Sequence, residues 1–310
     1  MIKKTFYFGS PVYLSLKNAQ LVIKLPEVIK NGALSEGFKQ ISEVTKPIED
    51  IGIVVLDNKQ ITITSGVLEA LLEKNCAVIT CDSKSMPVGL MLPLYGNTTQ
   101  NERFRQQIGA SLPLMKQLWQ QTVKAKIENQ AAVLNKCVGE EIKCMKIWAT
   151  DVKSGDPDNL EARAAAYYWK KLFKIEGFTR DREGIPPNNL LNYEYAILRA
   201  VVARGLVASG LLPTLGIHHH NRYNAYCLAD DIMEPYRPYV DRLVYDMIKG
   251  GEINCRELAK EQKVQLLTIP TLDTIISGKR SPLMVAVGQT TASLYKCFSG
   301  ELRRISYPEM

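Results

Sequence analysis

From Lys3 to about Pro93 the apolar positions come in short, β-branched runs broken by turn residues. Phe6–Phe8, Tyr13–Leu16, Gln20–Ile23, Ile51–Leu56 and Gln60–Thr64 predict strands, because runs of this length and composition suit a pleated surface better than a helix face. Asp57-Asn58-Lys59 reads as a hairpin connection between the last two. Ser65 reads as the cap of a helix through Lys74, and Cys76–Cys81 as one more buried strand. Pro and Gly in Pro93-Leu94-Tyr95-Gly96-Asn97 then punctuate a change of period.

From Thr99 the pattern is helical. Leu112, Met115, Leu118, Trp119, Val123 and Ile127 recur at three- and four-residue spacing, which predicts a long helix continuing to about Leu134. A second run follows at Ile142–Trp148. Helical spacing makes Trp119 and Trp148 core-facing rather than base-stacking platforms. Gly155–Asn159 is a loop whose Asp158 or Asn159 can cap the next helix, Leu160–Trp169. Residues 180–188 form a polar, Pro-rich surface loop, and Leu190–Leu211 an apolar helix. Pro235 and Pro238 restart a helix through Met247. A polar, Lys-rich segment (Gly250–Lys263) and a last helix from Pro282 to about Arg303 complete the chain. The fold class is therefore α+β and multidomain. Residues 1–96 form a β-rich, β-sandwich-like domain with one helix, and residues 97–310 a mostly helical domain.

Composition adds little until charge is divided along the chain. Hydrophobic content of 46% and charged content of 23% are ordinary for a soluble protein. No apolar window is long enough to span a bilayer, and the N-terminal residues are too polar for a signal-peptide core, so a cytoplasmic protein without a membrane partner is expected. Seven scattered cysteines without a CxxC pair point to reduced thiols rather than disulfides or a zinc knuckle. Residues 1–100 hold ten Lys, no Arg and nine acids; the remaining residues hold fifteen Lys, fourteen Arg and twenty-three acids. Every arginine thus lies in the later two-thirds, which favours a polyanionic partner there.

All three histidines stand together as His218-His219-His220, followed within fifteen residues by Asp230, Asp231 and Glu234. Imidazole plus carboxylate is a divalent-metal donor set, and His219 with Glu234 is its strongest pair. Glu161 opens an alanine- and aromatic-rich helix. It reads either as a third ligand or as a carboxylate stabilised by the helix dipole. Two carboxylates and one imidazole suit Mg²⁺ or Mn²⁺, with the nitrogen favouring Mn²⁺, and such a site serves phosphodiester chemistry. Arg222, Arg237 and Arg242 read equally as phosphate clamps or as partners of Asp230, Asp231 and Asp241. Lys279 and Arg280 lie in a flexible basic loop, Ser277–Ser281, that reads as a solvated turn or a backbone contact to nucleic acid.

The run Gly216–Pro238 resembles the signature of the CRISPR adaptation integrase, the universal spacer-acquisition protein, in its type II branch. Leu118–Ile127 resembles that family's first long helix, Gly155–Trp169 its glutamate motif, and Asn189–Tyr195 the segment before its histidine region. The resemblance implies a β-rich N-terminal domain used for dimerisation and a helical catalytic domain. It implies Glu161, His219 (three residues after Gly216) and Glu234 as catalytic metal ligands, with Asp231 as the acid that other branches use. His218 and His220 are auxiliary, supporting or DNA-contacting. It also implies the reaction: the 3′-hydroxyl of a short foreign duplex (the prespacer) attacks a phosphodiester at a CRISPR repeat boundary, without ATP. The partners implied are double-stranded DNA, a second copy of the chain, and a dimer of a small adaptation protein giving a heterohexamer. A type II effector nuclease and a ring-forming accessory protein can join them. Two readings compete: a plain metal-dependent nuclease, and a non-catalytic DNA-binding scaffold.

Overall fold

Two four-stranded sheets form where the short β-branched runs lie. In this computed structural model, which describes residues 3–35, 37, 39, 42–139, 142–251 and 258–310, contacts divide the chain into two units, Met1–Gly96 and Asn97–Met310. The strands of the first unit are β1 (Lys4–Phe8), β2 (Val12–Lys17), β3 (Gln20–Lys24), β4 (Val44–Pro47), β5 (Ile51–Leu56), β6 (Ile61–Ile63), β7 (Ala77–Cys81) and β8 (Pro87–Met91). One sheet has the order β1-β5-β7-β8 and the other β4-β3-β2-β6. β5 lies between two parallel neighbours, β1 and β7, and Ile51–Val55 are buried throughout, so the run is continuous rather than alternating. Val12, Leu14 and Leu21 of one sheet and Ile51, Val54 and Val78 of the other share a core with Val67 and Leu71 of the helix Ser65–Glu73. This unit is β-rich and sandwich-like.

Three local expectations are corrected here. Asp57-Asn58-Lys59 is no hairpin, because β5 and β6 belong to different sheets; the Asp57 amide donates to Phe8 O at 2.8 Å and the chain crosses over. Ser65 lies inside its helix, whose N-cap is Thr64 without a side-chain cap bond. A second, short helix, Pro26–Lys30, joins the one expected.

The second unit is mostly helical. Its spine is the helix Leu112–Val138, capped by Ser111 Oγ, which accepts from the Leu114 amide at 3.4 Å, and ended by Gly139 at φ 76°. Lys143–Asp151, Leu160–Leu172 and Arg237–Lys249 pack on it. Asn188–Ala208 is buried along most of its length and crosses Leu283–Phe298 closely at Gly205, where a Cβ would stand 2.9 Å from Val287 Cγ1. That last helix stops at Phe298 rather than near Arg303, because Gly300 turns the chain at φ 82°. The basic loop Ser277–Ser281 is also corrected. It is the turn and second strand of a hairpin, β9 (Asp273–Ile276) with β10 (Lys279–Pro282), turned by Ser277 and Gly278 at positive φ; β11 (Pro308–Glu309) pairs on the other side of β9.

Cys255 and residues 252–257 of the polar segment lie outside the described residues. Among the described residues no helix is long and apolar enough to cross a membrane.

Candidate metal centre

The site grows from the long helix. Leu118, Thr122, Lys126 and Gln130 form one i, i+4 row on its buried side, so a charged residue at 126 must find compensation indoors. Lys126 Nζ stands 2.6 Å from Glu161 Oε1 and 2.5 Å from Glu234 Oε2. Burial would pull this ammonium's pKa down, but Glu234 and then Glu161 outweigh it and raise it. Glu161 lies in the first turn of Leu160–Leu172, and Glu234 opens a single 3-10 turn, Glu234–Tyr236. Asn129, one turn along the long helix, pins that turn by donating to Pro235 O at 2.8 Å.

Glu161 owes its position to Asp156. The carboxylate of Asp156 accepts from the amides of Leu160 at 2.9 Å and Glu161 at 3.0 Å. The cap is therefore neither Asp158, which pairs with Lys153, nor Asn159, which occupies the N-cap in a left-handed conformation without a side-chain bond. Asp156→Ala is expected to lower stability by about 0.5–2 kcal/mol, the range for losing a helix cap, read as a shift in the denaturation midpoint. An unchanged midpoint would remove Asp156 from this role.

The histidine loop is organised around Asp231, which is fully buried on the helix Cys227–Met233. Its oxygens accept from the His218 amide at 2.9 Å, the His219 amide at 3.3 Å and His219 Nδ1 at 2.5 Å. That last bond is the main cause of a raised His219 pKa, and it leaves Nε2 as the ring's other nitrogen. Gly216 makes the wrap possible: a Cβ there would meet His219 O at 2.4 Å and Asp231 Oδ2 at 2.8 Å. His218 stacks flat on Trp119 with centroids 4.1 Å apart, and burial, then His219, lowers its pKa. His220 is exposed.

Arg237 Nε stands 3.0 Å from Glu234 Oε1, and its guanidinium lies over the Tyr195 ring, 4.6 Å from the centroid. Arg180 also lies over that ring, at 5.1 Å, while bonding Asn188 and Asn192. Tyr195 and Tyr168 donate to the two oxygens of Asp241, whose pKa burial pushes up to about 7 against those hydrogen bonds. Burial of Glu234 is likewise opposed by Arg237 and Lys126, which hold its pKa below the ordinary value.

The residues singled out from the sequence thus separate. Glu161 and Glu234 meet on one ammonium, and both carboxylates act electrostatically on His219. Arg237 turns inward to Glu234. Arg242 pairs with Asp246, and Asp230 with Arg199 and Asn224 instead of the three arginines weighed for it. Arg222 is exposed and stacks on Tyr223; Lys279 and Arg280 are exposed on β10, Arg280 paired with Asp273. Among the described residues no group of three or more His, Cys, Asp or Glu is arranged as it stands to hold a metal ion. Lys126, Asp156 and Trp119 are the residues whose part in the site sequence reasoning missed; the signals were a charge among the apolar positions of the long helix for Lys126 and cap chemistry for Asp156.

Against known proteins, the family model described as CRISPR associated protein Cas1 matches residues 7–278. The CRISPR-associated endonuclease Cas1 of Neisseria meningitidis serogroup C (strain 8013) is 39% identical over 269 residues, covering 86% of this chain and 82% of the relative. Among solved structures, a casposase bound to integration product superposes with a TM-score of 0.75 at 19% identity, covering 98% of this chain and 92% of that one. A Cas6-RT-Cas1–Cas2 complex superposes with a TM-score of 0.69 at 19% identity, over 97% of this chain and 35% of that one. At such identities the structural likeness carries the fold alone.

Proposed function

The chain belongs to the Cas1 family of CRISPR-associated proteins, and from that premise we propose that it is a metal-dependent DNA-joining enzyme of CRISPR adaptation. In the reaction, the 3′-hydroxyl of a short foreign duplex attacks a phosphodiester at a repeat boundary. One P–O bond forms as another breaks, the displaced 3′-oxygen takes up a proton, and no ATP is needed.

The observation that carries this reading is the convergence of Glu161 and Glu234 on one buried positive charge beside an imidazole oriented by Asp231. The donor set fits a small divalent cation: two carboxylates already facing a cation, and a histidine whose second nitrogen is left for a ligand. Glu161, His219 and Glu234 would hold the ion. Asp231, with its oxygens committed to the loop, positions His219 instead of binding. Bound Mn²⁺ or Mg²⁺ would polarise the phosphate and stabilise charge on the attacking and leaving oxygens. Trp119 keeps the loop in register by stacking on His218, and Arg237 holds Glu234 from the side away from the ammonium of Lys126. Exposed Arg222 and Lys279 are the better candidates for DNA backbone contacts, Arg237 being engaged inside.

The proposal extends to assembly. A small adaptation protein as partner is in keeping with the name of the solved Cas6-RT-Cas1–Cas2 complex; the homodimer through the β-rich unit and the heterohexamer are what the family resemblance implies. A supercoiled repeat-containing plasmid, a short duplex and Mn²⁺ are expected to give joined product. The relative's name, an endonuclease, favours a second reading as a plain nuclease. End-labelled DNA separates the two: shortened fragments without any joined species would select cleavage.

A further inference from the structure

Lys126 brings the two candidate ligands together with a charge of its own, and this has a consequence for ion binding. Its side chain is only 10% exposed, and Nζ lies within 2.6 Å of a carboxylate oxygen from each of Glu161 and Glu234. Two like charges this close repel strongly in a partly desolvated site, so the ammonium is what lets them approach. The second cation, Arg237, is fixed independently, through its stack on Tyr195, whose hydroxyl is anchored to Asp241 at 2.5 Å. Lys126 is held differently: its flexible four-carbon stem ends in a point charge gripped by the two carboxylates. The formal charges of Glu161, Glu234, Lys126 and Arg237 cancel. A divalent cation added on top of them would leave these four groups and the ion with a net positive charge, offset in part by Asp231 behind His219.

We propose that Lys126 is a resident counter-ion of the metal centre, occupying the cation position between Glu161 and Glu234 until a divalent ion displaces it. The inference rests on the metal-dependent reading above. Lys126 is then a positioning residue with two effects: it preassembles the carboxylates without metal, and it weakens ion binding by competition.

The test is Mn²⁺ binding to the full chain, by isothermal titration or by loss of the free-ion paramagnetic resonance signal, with thermal melts alongside. Lys126→Met is expected to bind Mn²⁺ about tenfold or more tightly than wild type, because no ammonium has to leave. Its metal-free form is expected to melt lower and to regain more on adding Mn²⁺ than wild type does. Lys126→Arg, which keeps the charge, is expected to bind no more tightly than wild type. His219-dependent Mn²⁺ binding by wild type with unchanged or weaker binding by Lys126→Met overturns this inference alone. Absence of Mn²⁺ binding in every variant overturns it together with the metal-dependent reading. Should Lys126→Met fail to fold even with Mn²⁺, crystals of the wild type soaked in Mn²⁺ decide. Nζ out of hydrogen-bond reach of at least one carboxylate is expected, and Nζ still bridging both beside a bound ion overturns the proposal.

Discussion

Replacing His219 by alanine is expected to cut DNA joining by about 10³-fold, the scale on which removing one key electrostatic element slows phosphoryl or acyl transfer, while changing the melting temperature little. The asymmetry follows from where the ring sits. His219 is on a loop with its side chain 44% exposed, and when it is removed Asp231 still accepts from the amides of His218 and His219. Glu234→Ala should lose the same activity and stability as well. That carboxylate is 5% exposed between Lys126 and Arg237, and breaking a buried pair costs about 3–5 kcal/mol. Gel assays of joined product and thermal melts of both variants check this. Wild-type joining by His219→Ala would end the assignment of His219 to the metal, and equal stability of the two variants would contradict the buried pairing of Glu234.

Glu194→Met is expected to make the protein more stable at pH 7–8 by about 1–3 kcal/mol, the cost of a buried polar group without a partner. Glu194 is fully buried in Asn188–Ala208, and among the described residues neither of its carboxyl oxygens has a hydrogen-bond partner. Burial raises its pKa well above the ordinary carboxylate value. In the unfolded chain the same group ionises near about pH 4.3. Stability is therefore complete below that value and declines as pH rises toward the folded-state pKa, since the unfolded state sheds its proton first. Glu194→Gln cannot ionise, so its stability relative to wild type should grow with pH over that window, measured by denaturant titration. A gap that stays constant with pH would show that Glu194 does not carry this charge penalty.

The fold class was legible because it depends on period and length. The Ile51–Leu56 run marked a strand, and the three- and four-residue spacing from Leu112 marked the spine helix, which extends to Val138. Which sheet a strand joins was not legible. Asp57-Asn58-Lys59 has turn chemistry, yet β6 pairs in parallel with β2, Ile61 with Val12, a partner no local pattern indicates. Caps failed for a related reason: Asp156, Asp158 and Asn159 all have cap chemistry, and only the loop's backbone selects Asp156. At the site, Arg237 reads from sequence as a phosphate clamp or an ion-pair partner, and the structure gives it Glu234, three residues earlier. Lys126 was missed because its partners lie 35 and 108 residues further along the chain, beyond any local pattern.

Tyr195 places Arg237 and Arg180 on one ring, so the residue beside Glu234 shares a support with the chain that precedes Asn188–Ala208. The guanidinium of Arg180 is held by Asn188 and Asn192, and that of Arg237 grips Glu234. Sequence changes around Arg180 therefore have a route to alter the field at Glu234 without touching Glu161, His219 or Glu234.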